Sequence, residues 1–511
     1  MSIFGLCGIH KDCLTVHHID PRIPLRDAIW VDGVAHVKRE WGPLKYLRHL
    51  YEMGRIVESP PTMEAFYAYT GETPMVHQIL TVREAIYHPR LGILNGVGTG
   101  KTLAAIWAMK ILIDAGKVDR VMVVAPFSLL QRVWMAEMLK CGIADGVSMV
   151  VGTAAKRAEI VKDRSRKILM INPDGLRGIV GIQDLGIDLF IVDEAAWFKH
   201  ASSQRAVALA RMSAGARAWF ITGTPASQRP EDAHGLISLI KDGKFMNMYS
   251  FRSRICTKAG PFAWRPRPEA QQIIASHLLP AVRFRREDCF DLPQLQTLIL
   301  EVPLDPDQER VIGSLRDEAI ATLKCGEKIV AANAAVVLSK IFQVMAGVVY
   351  AKDGVVISIE AAPMWEAVRS VVMDSDGPVL AFSSYASVVD LGVKYMQGQG
   401  LRAYGITGTV PKSEQQRIIA MMEAGDLDIL LATPQMLAEG HTFIKGNVEV
   451  WITPPMKADF YEQGVGRIYR YGQERPCTIY QVVQDYVASR FFARIRDKKG
   501  FQDDILALLE R

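Results

Sequence analysis

The sequence of 511 residues predicts an α/β protein with two parallel-sheet lobes, a helical insertion between them and a small N-terminal accessory domain. Short apolar runs alternate with helical stretches over residues 69–240, and the same alternation returns over 361–488. Continuous apolar strands flanked by helices are typical of a parallel sheet covered on both faces. The alternation stops over 241–360, a segment richer in arginine, proline and helical patterns, which we therefore interpret as the insertion.

The composition is that of a soluble globular protein, with 49% hydrophobic and 23% charged residues and a net charge of +5. Seven cysteines at irregular spacing give no disulfide framework, so a reducing compartment is expected. The N-terminus has no signal-peptide pattern, and no apolar run reaches the roughly 18 residues of a membrane helix. We expect a cytoplasmic protein.

The accessory domain is predicted over residues 1–68, with a linker at Ser59–Pro61. Four residues near its start are of the types that bind zinc, namely Cys7, His10, Cys13 and His17. Four ligands within eleven residues are too tightly spaced for an ordinary zinc site, and the segment from Cys13 has the pattern of a strand. We therefore predict no zinc site and expect this domain to recognise a DNA structure or to stiffen the first lobe.

Each lobe is predicted from its apolar runs. In the first lobe the predicted strands are Leu91–Leu94, Val121–Ala125, Lys167–Ile171, Leu189–Val192 and Ala218–Ile221. Helices are predicted over Leu103–Ile113 and Leu129–Leu139. In the second lobe the predicted strands are Val379–Phe382, Ile429–Ala432, Val448–Ile452 and Ile479–Val483. A C-terminal helix over 489–511 is expected to pack on the second lobe.

A glycine-rich segment follows the first of these strands and begins a helix. It consists of Gly96, Val97, Gly98, Thr99, Gly100, Lys101 and Thr102. Glycines allow backbone N–H groups to surround phosphates, and a helix N-terminus adds partial positive charge. Lys101 is expected to reach the β- and γ-phosphates and Thr102 to ligate Mg²⁺. Asn95 stands where the commonest phosphate-loop pattern has its first glycine.

Two carboxylates, Asp193 and Glu194, stand at the C-terminal end of a predicted strand, about ninety residues after the glycine-rich loop. Ligands of open α/β sheets bind at this edge. Asp193 is expected to hold Mg²⁺ and Glu194 to polarise the attacking water. The alternative is a solvated Asp-Glu pair that caps the next helix, and the preceding phosphate loop favours the catalytic interpretation.

The order of these segments resembles the superfamily 2 helicases, and most closely the Swi/Snf-type DNA translocases. Pro74–Gln78 resembles the motif that reads adenine, which implies that role for Gln78. Val123–Leu130, with Trp134 and Glu137, resembles the motif that lies near the DNA strand. Further resemblances are found in Asp193–Ala196, Thr222–Pro225, Leu380–Ser383, Gln463–Gln473 and His277–Pro293, the last being similar to the segment between the lobes.

The resemblance implies two RecA-like lobes of the P-loop NTPase fold, ATP hydrolysis with Mg²⁺, and Arg467 and Arg470 completing the site from the second lobe. An arginine can stabilise the charge that develops on the γ-phosphate. The implied partner is double-stranded or branched DNA bound without sequence preference, by a monomer. The compact size resembles phage and bacterial members, which remodel branched DNA in replication or recombination and act in the host cytoplasm if phage-encoded.

The chain departs from the family pattern at several motifs. Ala196 replaces a histidine, Thr433–His441 only loosely follows the glycine-rich DNA-contact motif, and Met456-Lys457 stands where Trp-Asn is usual. These departures indicate a divergent member.

Basic residues are concentrated between 252 and 286, and aromatic residues are interleaved with them. The basic residues are Arg252, Arg254, Lys258, Arg265, Arg267, Arg283, Arg285 and Arg286, and the aromatic ones are Phe251, Phe262 and Trp264. This pattern suits a nucleic-acid backbone, although a solvated charged face would have the same composition.

Two other functions are compatible with these motifs. One is an RNA or single-strand helicase of another superfamily 2 branch, against which the terminal Arg470-Tyr-Gly-Gln473 and the segment between the lobes both argue. The other is the motor subunit of a restriction or defence system that acts with a separate nuclease.

Overall fold

The computed structural model describes residues 5–10, 13–17, 29–31, 34–38, 74–143, 146–182, 185–226, 229–260, 264–324, 331–350, 356–437 and 441–495. Over these described residues the chain divides into two compact units between Asp291 and Leu292. Each unit contains one large parallel sheet. Among the described residues, no helix combines the length and the apolar character needed to cross a membrane.

Near the N-terminus four strands form an antiparallel sheet in the order β1-β2-β4-β3. They are β1 (Gly5–His10), β2 (Cys13–His17), β3 (Ile29–Val31) and β4 (Val34–Lys38). The strand expected from Cys13 is therefore present. The predicted linker at Ser59–Pro61 lies outside the described residues, and the accessory domain stays a prediction.

The first unit is built on a seven-stranded parallel sheet in the order β13-β5-β10-β9-β6-β8-β7. Its strands are β5 (Arg90–Ile93), β6 (Val121–Val124), β7 (Val147–Met149), β8 (Ile168–Ile171), β9 (Leu189–Val192), β10 (Arg217–Ile221) and β13 (Ala281–Val282). The predicted parallel sheet is confirmed. Strands β7 and β13 were not predicted.

Helices cover this sheet. They are α1 (Val76–Tyr87), α2 (Lys101–Asp114), α3 (Phe127–Leu129), α4 (Met135–Lys140), α5 (Ala154–Lys162), α6 (Gln204–Met212), α7 (Ala233–Ile240), α8 (Met248–Ile255), α9 (Ala270–Leu278) and α10 (Arg286–Cys289). Local capping defines several starts: the side chain of Thr153 accepts the Lys156 N–H at 3.3 Å before α5. A π-helical turn, Leu130–Trp134, joins α3 to α4.

The second unit is built on a six-stranded parallel sheet in the order β14-β21-β20-β17-β19-β18. Its strands are β14 (Leu295–Glu301), β17 (Val379–Phe382), β18 (Ala403–Ile406), β19 (Ile429–Ala432), β20 (Val448–Trp451) and β21 (Cys477–Val483). This lobe is also confirmed as a parallel sheet. Strands β14 and β18 were not predicted.

The helices of the second unit are α11 (Pro306–Lys324), α12 (Ala331–Met345), α13 (Ala362–Met373), α14 (Ala386–Gly398), α15 (Lys412–Ala424) and α16 (Ala458–Ile468). Helix α15 ends at Gly425, which adopts a left-handed φ of 85°. A further helix spans 486–495, where Phe492 and Ile495 pack into the core. The rest of the predicted C-terminal helix, 496–511, lies outside the described residues.

The predicted insertion at 241–360 is divided between the two units. Helices α8 and α9 bury Phe251, Ile255 and Ile274 in the core of the first unit. Helices α11 and α12 bury Ile312 and Phe342 in a cluster of the second unit. Burying a large apolar side chain contributes roughly 1.5–3 kcal/mol, so each half of the segment is fixed to the lobe that it covers. Two antiparallel hairpins complete the segment, β11 (Cys256–Lys258) with β12 (Trp264–Pro266) and β15 (Val348–Tyr350) with β16 (Val356–Ser358).

Candidate active site

The glycine-rich loop connects β5 to α2 at the carboxyl end of the first sheet. Gly98 and Gly100 have φ values of 79° and 72°, a region that residues with a side chain rarely adopt. A Cβ atom added to Gly100 would also meet the side-chain nitrogen of Gln78. Glycine is therefore favoured at position 100 by the backbone conformation, and any side chain there would displace Gln78.

Asn95, at the position of the commonest pattern's first glycine, is buried and fixes the loop on two sides. Its Nδ2 donates to Thr81 Oγ1 at 2.8 Å, and its Oδ1 accepts the backbone N–H of Phe284 at 3.0 Å. A side chain is needed for both bonds, which join the loop to α1 and to the segment after β13. Asparagine at position 95 therefore has a structural role, which the glycine of the commonest pattern could not perform.

The side chain of Lys101 folds back over the loop, and its Nζ donates to the carbonyl oxygen of Gly96 at 2.8 Å. Burial lowers the pKa of Lys101 to about 8, although Glu194 and Asp193 act in the opposite direction. The positive charges of Arg283 and Arg286 lower it further. A polyphosphate at this loop would favour the charged lysine again, because an opposite charge stabilises the ammonium form.

Asp193 and Glu194 directly follow β9, as predicted. Asp193 Oδ2 accepts the indole N–H of Trp134 at 2.9 Å and lies 3.4 Å from Thr102 Oγ1, which donates to it. Asp193 Oδ1 accepts the backbone N–H of Glu194 at 2.9 Å. Burial raises the pKa of Asp193, and the hydrogen bond from Trp134 is the largest influence that lowers it. Glu194 has a left-handed backbone with φ of 51°, a strained conformation that occurs most often at functional sites.

Helix α1 lies against the loop through two neighbouring side chains. Gln78 is buried, and its Oε1 accepts the backbone N–H of Met75 at 3.0 Å. His77 Nε2 lies 2.8 Å from the carbonyl oxygen of Thr99, and the His77 ring contacts Phe290 edge-on with centroids 5.5 Å apart. Sequence reasoning assigned no role to His77. The only sequence feature that indicated His77 was its position next to Gln78 within Pro74–Gln78.

The segment Thr222–Pro225 begins at the end of β10, beside the glycine-rich loop. The Thr222 N–H donates to the carbonyl of Ile93 at 3.0 Å, and the Thr224 N–H donates to Thr222 Oγ1 at 3.1 Å. An added Cβ at Gly223 would meet the Val97 side chain at 3.5 Å. The two motifs are therefore in contact, as neighbouring parallel strands require.

The basic residues of 252–286 do not form one face. Arg283 Nη1 donates to the carbonyl of Leu94 at 2.7 Å, and the backbone N of Arg286 would lie 3.1 Å from a Cβ at Gly96. These two arginines lie at the glycine-rich loop because β13 pairs with β5, which corrects the expectation that they belong to a basic surface. Arg252 pairs with Glu231 at 3.1 Å, and Arg267 is half-buried. The exposed basic residues are Arg254, Lys258, Arg265 and Arg285.

In the second unit, Arg467 and Arg470 come together at the end of α16. Arg467 is 4% exposed, and its Nη1 donates to the carbonyl oxygen of His441 at 3.0 Å. Arg470 Nη1 donates to the same oxygen at 2.9 Å. Residues 438–440 of the loosely matching motif Thr433–His441 lie outside the described residues, whereas His441 itself orients both arginines.

Glu449 is a buried acid that sequence reasoning did not single out. It lies on β20 in an apolar environment, and its Oε1 accepts the indole N–H of Trp451 at 2.6 Å. Burial raises its pKa to about 8, while the Trp451 hydrogen bond and the charge of Arg467 act in the opposite direction. The only sequence feature that indicated a buried acid was its position inside the predicted strand Val448–Ile452. A neutral carboxyl group therefore lies in the core next to the helix that carries Arg467.

Comparison with known proteins agrees with this architecture. The SNF2-related domain family matches residues 44–345, and the helicase conserved C-terminal domain matches residues 364–472. These two matches together include the glycine-rich loop, the acidic pair, Arg467 and Arg470.

Similar proteins occur in a phage, a bacterium and an archaeon. Putative protein p41 of Acyrthosiphon pisum secondary endosymbiont phage 1 is 24% identical over 470 residues, which cover 86% of this chain and 99% of that protein. The uncharacterized ATP-dependent helicase YqhH of Bacillus subtilis is 21% identical over 539 residues, covering 95% and 91%. The SWI2/SNF2 ATPase core of Sulfolobus solfataricus, solved in complex with double-stranded DNA, is 16% identical with a TM-score of 0.42, covering 86% of this chain and 94% of that one.

Proposed function

The chain belongs to the SNF2 family of ATP-hydrolysing helicases, and from this premise we propose that it is a motor that moves along double-stranded DNA. The observation that carries the proposal is the grouping of Lys101, Thr102, Asp193 and Glu194 at the carboxyl end of one parallel sheet. A hydroxyl, two carboxylates and an ammonium group at the start of a helix suit hydrolysis of a nucleoside triphosphate.

We assign the substrate contacts to the first lobe. The backbone N–H groups from Gly96 to Thr102 bind the phosphates, Lys101 contacts the β- and γ-phosphates, and Gln78 reads adenine. The Lys101 ammonium exchanges its bond to the Gly96 carbonyl for bonds to phosphate oxygens.

The Thr102 hydroxyl and the Asp193 carboxylate would hold Mg²⁺. They fit this ion because both are hard oxygen ligands and their oxygens already lie 3.4 Å apart. When bound, Mg²⁺ neutralises charge that develops on the phosphates.

Glu194 orients the attacking water and accepts its proton. Arg467 and Arg470 stabilise the negative charge of the transferring phosphoryl group, exchanging the His441 carbonyl for phosphate oxygens.

Contacts to DNA are assigned to the exposed basic residues of the first unit. Arg254, Lys258 and Arg265 lie on or next to the hairpin β11–β12 and are exposed. Cations of this kind bind phosphates without reading the bases, as movement along any sequence requires. We further propose that the motor remodels branched DNA in replication, recombination or repair, in the cytoplasm of the cell that contains it.

The test is ATP hydrolysis by the purified full chain with duplex DNA, single strands and RNA, followed by strand displacement on linear, forked and four-way DNA. We expect duplex DNA to stimulate hydrolysis most strongly. Lys101→Ala and Glu194→Gln should each reduce turnover at least about 100-fold and leave DNA binding intact, because they remove groups that act on the phosphates. The exposed substitution Glu159→Gln on α5 serves as the matched control.

Normal hydrolysis in either variant would refute the assigned site. Stimulation by RNA equal to that by duplex DNA would refute the assigned substrate.

A further inference from the structure

Trp134, which the sequence groups with the motif expected near the DNA strand, is instead fully buried and hydrogen-bonded to Asp193. It is the last residue of the π-helical turn Leu130–Trp134 and is 0% exposed. A π-helical turn widens the helix and changes the direction of the side chains that follow, and such turns are frequent at functional sites. Here the turn lies between α3 and α4, in the connection that follows β6, and β6 is hydrogen-bonded to β9.

The indole of Trp134 makes one directed bond. Its Nε1–H donates to Asp193 Oδ2 at 2.9 Å. Indole is a donor only, with a single hydrogen, so it fixes the orientation of an acceptor without itself competing for a cation. Asp193 Oδ1 accepts the Glu194 N–H, and Thr102 Oγ1 donates to Oδ2 at 3.4 Å. The carboxylate plane is therefore determined by donors from different parts of the fold.

Resting on the proposed function, we propose that Trp134 is a positioning residue, whose indole holds the Asp193 carboxylate in the orientation that ligates Mg²⁺ next to Thr102. Residues that form hydrogen bonds to a metal ligand, without contacting the metal themselves, typically account for about 10- to 100-fold in metal affinity. Because Trp134 does not reach the metal or the phosphates in this scheme, its loss weakens metal binding and leaves metal-free nucleotide binding unchanged.

Trp134→Phe tests this role, since phenylalanine keeps an aromatic ring and lacks the N–H group. Trp219→Phe is the matched control. Trp219, on β10, is also 0% exposed, and within the described structure its Nε1 has no hydrogen-bond partner. Both variants lose a similar volume from the core of the same lobe, and only one of them loses a bond to Asp193.

The first measurement uses electron paramagnetic resonance to detect Mn²⁺ binding in the presence of ADP. The affinity for ADP is measured separately without metal. We expect Trp134→Phe to bind Mn²⁺ about 10- to 100-fold more weakly than the wild type, with unchanged metal-free ADP affinity. Trp219→Phe should match the wild type in both measurements. Equal Mn²⁺ affinity in Trp134→Phe and the wild type overturns the inference alone, whereas a wild type that binds no Mn²⁺ with ADP overturns the proposed function as well.

The second measurement needs no variant and decides the question if Trp134→Phe does not fold. The measurement is nuclear magnetic resonance of protein with ¹⁵N-labelled indoles, in which the Trp134 Nε1–H signal is assigned through its contacts to neighbouring amides. The Trp134 Nε1–H proton should exchange slowly with solvent. Its chemical shift should change when Mg²⁺ is added to the ADP complex. A Trp134 signal that does not respond to Mg²⁺ overturns the inference.

Discussion

At the scale of the residue, Asn95 and Trp134 act through hydrogen bonds to partners 189 and 59 positions away in the chain. Such partners are brought together only by the folded sheet, so a single sequence does not indicate them. Lys101, Asp193 and Glu194, by contrast, follow from local patterns, because a glycine-rich turn and a strand end are each contained in a few consecutive residues.

Glu449 leads to a prediction about pH and stability. Its pKa is about 8 in the folded protein against 4.5 in an exposed chain, because burial disfavours the charged form. Between these values the unfolded chain loses a proton that the folded chain keeps, so the free energy of unfolding falls as pH rises. Glu449→Gln cannot titrate, and its stability relative to the wild type should rise by roughly 1.4 kcal/mol per pH unit across this window.

Urea unfolding of both proteins at pH 5, 6.5 and 8 measures this difference. Glu423→Gln serves as the control, because it removes an exposed carboxylate on α15 in the same unit. A constant difference between Glu449→Gln and the wild type over the three pH values would contradict a neutral buried Glu449.

At the scale of the element, the predicted strands are mostly apolar runs, and the four strands of the two large sheets that were missed, β7, β13, β14 and β18, all lie at sheet edges. The predicted strands at Val121–Ala125 and Ile429–Ala432 are fully buried and uniformly apolar. By contrast, β14 (Leu295–Glu301) is mostly exposed at the edge of its sheet, and β13 (Ala281–Val282) has only two residues. Both strands depend on pairing with a distant strand, which leaves little trace in their own composition.

The hairpin β11–β12 carries a second prediction, about salt. Replacing Arg254, Lys258 and Arg265 together by glutamine removes three exposed cations. Each phosphate contact of B-DNA contributes about 0.9 to the slope of log affinity against log salt, so the slope should fall by up to about 2.7. Fluorescence anisotropy with a labelled duplex at several salt concentrations measures it.

The control is the glutamine variant of Lys117, Lys162 and Lys167, which has the same change in net charge. These exposed lysines lie at the amino end of the first sheet, where helices end and strands begin, and none of them is on the hairpin. If both triple variants lowered the slope equally, general charge and not the hairpin would account for DNA binding.

At the scale of the whole molecule, the boundary between the two units lies at 291/292 and not at either end of the predicted insertion. The reason is packing: α9 buries Ile274 and Leu278 in the first unit, and α12 buries Ile341 and Phe342 in the second. Sequence reasoning found the loss of strand–helix alternation in this segment. It could not assign the helices to a lobe, because an amphipathic helix does not specify which core it covers.

This division predicts where the chain can be cut. Co-expression of fragments 1–291 and 292–498 should give soluble protein, because each fragment keeps the core of its own unit. Co-expression of 1–360 and 361–498 should give mostly insoluble protein, since the cut separates Ile312 and Phe342 from Ala488, with which they are buried. The soluble fraction after centrifugation measures the outcome, and equal solubility for the two pairs would contradict the division.

The connection between the units starts beside the glycine-rich loop. The backbone N–H of Gly96 donates to the carbonyl of Phe284 at 2.9 Å, and only a few residues later, at Leu292, the chain enters the second unit. The last segment of the first unit therefore does two things at once: it holds the backbone at Gly96, and it continues as the covalent link to the second unit.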